Sequence, residues 1–229
     1  MVFVVAEIGV NWDGDFELVK QMMNESKTLQ LSAVKFQAFT FDMTKNHPES
    51  KRLMNSSITK ENVEKINDIS QEIGIDWFCT PMYPEAVDFL DPFVSRYKIR
   101  EFDGRQTIQN NETDLFQAIY KKNKDIFISS ETIPLNCSLY NDPQIKWLYC
   151  VPKYPCNLDE IDFSLLKHFD GFSNHCSLIE APIRALREGI EILEIHITSD
   201  KTKNFVDNNV SFDYDEIKEI MKVAKVINS

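Results

Sequence analysis

The chain has 229 residues, 43% of them hydrophobic, and a formal net charge of -11. That length supports one large core, which an α/β barrel fills as a single domain over residues 1–229. The acid is dispersed among bases with no Lys/Arg stripe, which excludes nucleic acid as a partner class, and the first apolar run is too short for a signal or membrane helix.

Val4-Val5-Ala6-Glu7-Ile8-Gly9-Val10-Asn11 opens as a buried strand cut off by a carboxylate and a glycine. A Glu at the end of a buried strand is costly unless something there uses it, and in parallel α/β folds that end carries sites. A helical stripe follows at Phe16, Leu18, Val19, Met22, Met23 and Leu29, then a second strand, Ala33 to Gln37. The polar stretch Thr40–Ser57 is long for a loop and has room for helical turns. Thr59 reads as the N-cap of a helix through Val63, Ile66, Ile69 and Ile73 that Gly74 ends. Trp77 to Pro81 is strand three, and Pro84 starts a short helix. Arg96 to Ile99 is strand four, running out into Arg100-Glu101-Phe102-Asp103-Gly104. A helix from about Glu112 to Lys121 precedes strand five, Ile126 to Ser130. Glu131 to Pro143 shows no helical period. Ile145 to Cys150, Gly171 to Asn174 and Ile192 to Ile197 are strands six, seven and eight, with helices expected over 159–168, 179–188 and 213–227.

Strands and helices alternate eight times without hairpins, which predicts a (β/α)₈ TIM barrel with a degenerate or missing fifth helix. A doubly wound sheet competes, but eight similar short units suit closure better. The five cysteines lack CxxC spacing, so a cytoplasmic protein without structural disulfides or a cysteine zinc site is expected.

The barrel makes a grouping. Glu7, Lys35, Thr80, Lys98, Asp103, Ser129, Tyr149, Ser173, Asn174, His175 and His196 lie in or just beyond the C-terminal parts of different strands, so they should converge on one mouth. Lysines with hydroxyls suit phosphate or carboxylate. Glu7 and Asp103 suit proton transfer, and His175 suits a metal. Each has an ordinary reading too: Lys98 as a snorkelling chain, His196 as a satisfied inner histidine, Thr80 as a loop cap.

Seven segments occur in an order that resembles a known family: Ala6-Glu7-Ile8-Gly9-Val10-Asn11, Val34-Lys35-Phe36-Gln37, Cys79-Thr80-Pro81, Tyr97-Lys98-Ile99, Tyr154-Pro155, Gly171-Phe172-Ser173-Asn174-His175 and Glu194-Ile195-His196. They are similar to the catalytic barrel of the N-acetylneuraminate (sialic acid) synthases and their legionaminic and pseudaminic acid relatives. The resemblance implies condensation of phosphoenolpyruvate with an N-acetylated sugar or related acceptor in surface-carbohydrate biosynthesis. That is an aldol-type, carbon–carbon bond-forming transfer with loss of phosphate. It also implies small anionic and sugar substrates and a homodimer. By motif, Lys35, Thr80, Lys98 and Ser129 match positions that hold phosphoenolpyruvate, Glu7 an active-site acid, and Asp103 the acid near the sugar carbonyl. The implied cofactor is a divalent metal, Mn²⁺ or Mg²⁺, on two histidines. His175 matches one and Tyr149 stands at the other, so metal binding is expected to be weak or lost, with Asp103 or Glu7 as carboxylate substitutes.

The chain departs from the family pattern at several places. Trp12 stands where the family has His. Glu101 replaces a serine that receives phosphate, with Arg100 and Arg105 near enough in sequence to offset it. Ser129-Ser130-Glu131 replaces Ser-Thr-Gly, and Phe205-Val206-Asp207-Asn208 stands for a Pro-Gly-Pro-Asp-His segment. The family's C-terminal antifreeze-like domain has no counterpart in these residues. The other reading is therefore a non-catalytic homologue: a scaffold, a regulatory subunit or an anion- or sugar-binding module.

Overall fold

Eight parallel strands close in sequence order into a barrel in a computed structural model that describes residues 1–227. The strands are β1 (Phe3–Gly9), β2 (Ala33–Ala38), β3 (Asp76–Pro81), β4 (Arg96–Ile99), β5 (Asp125–Ser130), β6 (Ile145–Tyr149), β7 (Gly171–Asn174) and β8 (Ile192–His196). The helices are α1 (Phe16–Thr28), α2 (Phe41–Thr44), α3 (Ser50–Asn55), α4 (Val63–Ile73), α5 (Pro84–Leu90), α6 (Glu101–Ile108), α7 (Asp114–Tyr120), α8 (Glu180–Arg187) and α9 (Tyr214–Ile227). The connection from β5 to β6 holds a 3₁₀ turn at Pro134–Asn136. Among the described residues no helix is long and apolar enough to cross a membrane.

Strand alternation builds two layers. Val4, Ala6, Phe36, Trp77, Cys79, Tyr97, Trp147 and Leu193 are buried in the core between strands and helices. Each large apolar side chain fully buried there contributes about 1.5–3 kcal/mol. The alternate positions fill the barrel. At its lower end the Arg96 guanidinium lies 4.7 Å from the Phe3 ring centre, 5.6 Å from Phe78 and 6.0 Å from Phe127, and it pairs with Asp76. Cation–π contacts of this kind plug the bottom and leave the upper end to polar side chains. Closure sets the register there: Glu7 sits opposite Lys35 on one side and His196 on the other.

The 40–57 stretch contains α2 and α3, the helical turns for which it had room. Three local expectations change. The segment after β4 folds at once into α6, which no apolar stripe announces; its helical support is electrostatic, with Glu101 and Asp103 in the first turn and an i,i+4 pair from Glu101 to Arg105. The 159–168 segment forms 3₁₀ turns at Leu158–Glu160 and Phe163–His168, because Asn157 and Asp162 each cap a separate turn. The helix expected from Thr59 starts at Val63, with Asn62 at the N-cap.

Candidate active site

A cavity of about 510 Å³ opens at the C-terminal mouth of the barrel, a size suited to a small molecule. Its floor is an alternating chain of buried charges. Lys35 Nζ lies 2.9 Å from Glu7 Oε2 and 3.7 Å from Glu194 Oε2, and donates to Thr80 Oγ1 at 3.1 Å. Lys98 Nζ donates to Glu194 Oε1 at 2.8 Å, as does the Ser173 hydroxyl at 2.8 Å. Gln37 Nε2 donates to Glu7 Oε1 at 2.7 Å. Burying four charges costs several kcal/mol per ion before pairing offsets it. A fold does not need such a floor for stability, and perturbed charges of this kind cluster at functional sites.

The protonation pattern follows from the pairing. Burial raises the Glu194 carboxyl, but the Lys35 and Lys98 ammonium groups outweigh it and hold it well below the usual carboxylate range. Burial pulls Lys35 down, yet Glu194 and Glu7 together keep it above its ordinary value. Lys98, with Glu194 on one side and Lys35 repelling it, is left below its ordinary value by burial.

Above the floor stand two imidazoles, His175 and His196, with ring centres 5.9 Å apart. His175 Nδ1 faces the Val151 carbonyl at 2.6 Å, so that nitrogen carries the proton, and Nε2 accepts from the Tyr154 hydroxyl at 2.7 Å. Burial and the neighbouring His196 pull His175 down to about 3. Burial opposes charge on His196 too, but Asp207, whose Oδ2 is 3.4 Å from Nδ1, raises it. Asn11 fixes that acid: its amide donates to Ile197 O and Ser211 Oγ, and its Oδ1 accepts from Asp207 N at 3.0 Å. Gly9 lets these groups meet. A Cβ there would lie 3.1 Å from Glu7 Oε1, 3.3 Å from Gln37 Nε2 and 3.4 Å from Asp207 Oδ2, and its φ is +54°.

The rim beside β5 is set by α6. Gly104 packs so tightly on β5 that a Cβ would fall 2.6 Å from Ser129 O. Gly104→Ala is expected to push α6 outward and lower stability by about 1–3 kcal/mol, as overpacking does; thermal unfolding unchanged from wild type would refute this packing argument. The Ser129 hydroxyl is buried against the Cys150 thiol, makes no hydrogen bond to a nitrogen or oxygen among the described residues, and opens on the cavity.

Of the grouped residues, Glu7, Lys35, Thr80, Lys98, Ser129, Ser173, His175 and His196 line this one cavity. Three others do not. Asp103 is turned to Arg100, whose Nε donates to it at 2.6 Å, so the expected second acid is outside the cavity. Tyr149 shares the outward face of β6 with Trp147: its ring packs on Phe169 and Phe172 and its hydroxyl accepts from Asp162 N. Tyr149 therefore does not stand beside His175 in the cavity; the imidazole that does is His196. Asn174 caps its own turn through Cys176. Trp12 is core, donating to Ser56 O and packing on Phe16 and Phe36. Glu194, Gln37, Tyr154, Arg105 and Asp207, which strand-end reasoning leaves out of the site, all line the cavity. The signal for Glu194 was an acid inside an apolar run, two residues before His196 and so on the same strand face.

Polar and charged side chains converging from seven of the eight strands on the upper mouth of a closed parallel barrel define a TIM-barrel protein with a small-molecule site. Residues 15–229 match the NeuB family, and the chain belongs to it. It is 24% identical over 262 residues to the pseudaminic acid synthase of Campylobacter jejuni, covering 100% of this chain and 74% of that protein. It is 25% identical over 258 residues to the N-acetylneuraminate-9-phosphate synthase of Mus musculus, covering 98% and 70%. The solved N-acetylneuraminic acid (sialic acid) synthetase of Leptospira borgpetersenii, in complex with citrate, matches 99% of this chain and 83% of its own with a TM-score of 0.86 and 25% identity.

Proposed function

We propose that this chain condenses phosphoenolpyruvate with an N-acetylated sugar aldehyde or a related acceptor, in the making of surface carbohydrate. The observation that carries the reading is the pair of buried ammonium groups, Lys35 and Lys98, bridged by Glu194 in the cavity on which the Ser129 hydroxyl opens. Two point charges and a short donor at one mouth match a ligand that bears both carboxylate and phosphate.

In this reaction C3 of the enol ester bonds to the aldehyde carbon, whose oxygen becomes a hydroxyl. Water adds at C2 and inorganic phosphate leaves. Lys35, Lys98 and Ser129 hold the anion, and Thr80 fixes Lys35. Glu7, held by Gln37 and Lys35, takes the water's proton, which balances the one gained by the new hydroxyl. Asp103 has no part in this scheme, since Arg100 holds it.

His175 and His196 fit a divalent cation. Each imidazole is backed by an acceptor, the Val151 carbonyl or the Asp207 carboxylate, as metal-bound histidines are. Among the described residues no group of three or more His, Cys, Asp or Glu is placed to hold a metal, so water and ligand would complete the shell. Mn²⁺ or Mg²⁺ bound there would polarise the acceptor aldehyde. We also read the 3₁₀ turn between β5 and β6 as the barrel's degenerate fifth helix, and a homodimer as the assembly, which light scattering checks.

The test is phosphate release from phosphoenolpyruvate with Mn²⁺ across a panel of N-acetylated hexosamines. Release with at least one acceptor is expected; none across the panel overturns the proposal. Binding without turnover is the second reading, favoured by the Glu101 carboxylate at the cavity wall, and it shows as calorimetric binding with no release. Lys98→Met is expected to weaken phosphoenolpyruvate binding by about 1.5–3 kcal/mol, the range for hydrogen bonds to charged groups. Equal affinities in titration calorimetry would remove Lys98 from the binding set.

A further inference from the structure

The wall of the cavity next to Ser129 carries a feature that the anion site as described does not use. Glu101 is 8% exposed and faces a cavity whose other side chains receive an anion. An uncompensated carboxylate there repels such a ligand. Four residues further along α6, Arg105 donates from Nε to Glu101 Oε1 at 2.6 Å. Its side chain is 53% exposed and also lines the cavity. A guanidinium has five N–H groups in a fixed fork. With Nε bound to Glu101, both Nη groups have no other hydrogen bond among the described residues.

Two features bring this fork to the same place as the other anion-binding groups. The Gly104 contact seats α6 directly on the Ser129 backbone, and Glu101, Arg105 and Ser129 line the same cavity. The buried Cys150 thiol, in contact with Ser129, feels the charges of both Lys98 and Glu101. Arg100, the other arginine that lines this rim, is latched in the same way, but to Asp103, which lies outside the cavity, and its guanidinium also lies 5.1 Å from the Phe102 ring centre. Arg105 is therefore the rim arginine whose latch, Glu101, is itself part of the cavity wall.

We propose that Arg105 is a phosphate-binding arm of the cavity and that Glu101 is the positioning residue that latches it. The proposal rests on the anion-site reading above and names the group within it that takes the phosphoryl oxygens. Arg105 offers its two Nη groups to the phosphate as a planar fork, and Lys98 and Ser129 supply the deeper contacts. Glu101 fixes the guanidinium through Nε. The carboxylate thus contributes orientation, not ligand affinity, and its charge is cancelled by the residue it holds.

The simpler account is that Arg105 only neutralises Glu101, and a charge-conserving pair of substitutions separates the two. The full chain is titrated by calorimetry with phosphoenolpyruvate and with inorganic phosphate, for wild type, Arg105→Gln, Arg105→Lys, Glu101→Gln and the Glu101→Gln/Arg105→Gln double variant. The double variant has the same net charge as wild type. Arg105→Gln is expected to lose about tenfold or more in affinity for both ligands, in line with loss of charged hydrogen bonds. Arg105→Lys recovers only part, because a point charge lacks the fork. Glu101→Gln still accepts from Nε and binds at least as tightly as wild type. The double variant stays as weak as Arg105→Gln. A double variant that binds like wild type overturns the arm and leaves charge cancellation. Unchanged affinity in Arg105→Gln, alongside a loss in Lys98→Met, overturns the arm and leaves the anion site standing. Wild type that binds neither ligand overturns both. Thermal unfolding of each variant is run in parallel, and because Arg105 is exposed, its variants are expected to melt with wild type.

Discussion

Glu194→Leu is expected to lower the stability of the barrel by about 3–5 kcal/mol, the cost of breaking a buried ion pair by removing one partner. Lys98 would lose its counter-ion and Lys35 would keep only Glu7. Glu194→Gln keeps an acceptor for Lys98 and Ser173 and should lose less. Urea unfolding at neutral pH measures both. A loss below about 1 kcal/mol for the leucine variant, the range of exposed pairs, would mean that water reaches the floor and the charges are not truly buried. Acid sharpens the test. The folded-state carboxyl of Glu194 is held below its ordinary 4.5. Its contribution is therefore complete above about pH 4.5 and is lost as pH falls through the depressed folded value. The wild-type and leucine curves should converge on that acid limb and nowhere above it. Curves that stay parallel down to the acid transition would show that the stability difference is packing, not charge.

The strand framework was readable because each strand is an apolar run ended by a turn, and because eight of them alternate with helices. Site residues on strands were readable for the same reason: Glu7, Lys35 and Lys98 interrupt apolar runs, and a barrel sends strand ends to one mouth. What failed was parity. Tyr149 falls at a metal position by motif, yet in Ile145-Lys146-Trp147-Leu148-Tyr149 it shares its face with Trp147, which is a core side chain. Counting in twos along β8 instead puts Glu194 and His196 together. Asp103 failed for a different reason. A motif fixes its place along the chain, but α6 turns the backbone immediately after β4, and its i,i+3 neighbour Arg100 captures the carboxylate. The latch between Glu101 and Arg105 was visible only as spacing until the helix existed to make four residues one turn. Asp207 could not be placed at all from sequence, since a side-chain contact from Asn11, almost two hundred residues away in the chain, brings it to His196.

The facing imidazoles of His175 and His196 have a measurable consequence. Titration of metal-stripped protein with Mn²⁺ is expected to show a site that depends on His175 and His196 and not on Tyr149. Asp207→Ala, which removes the acceptor behind His196, should weaken binding about 10–100-fold, as loss of an outer-shell partner does. His196→Ala removes the donor itself and should lose more. Tyr149→Phe should bind as wild type does, because the phenol oxygen it deletes serves Asp162 N on the helix side of the strand. Tyr149→His should likewise gain nothing, since a second imidazole on that face cannot reach the cavity. The His175 ring needs least rearrangement: Val151 O already holds the proton on Nδ1, so the Nε2 lone pair is free once the Tyr154 hydroxyl swings aside. Tyr154→Phe removes that competitor and is expected to tighten Mn²⁺ binding modestly. Metal binding lost in Tyr149→Phe but kept in His196→Ala would reverse the assignment and restore the pairing that the motif alone suggested.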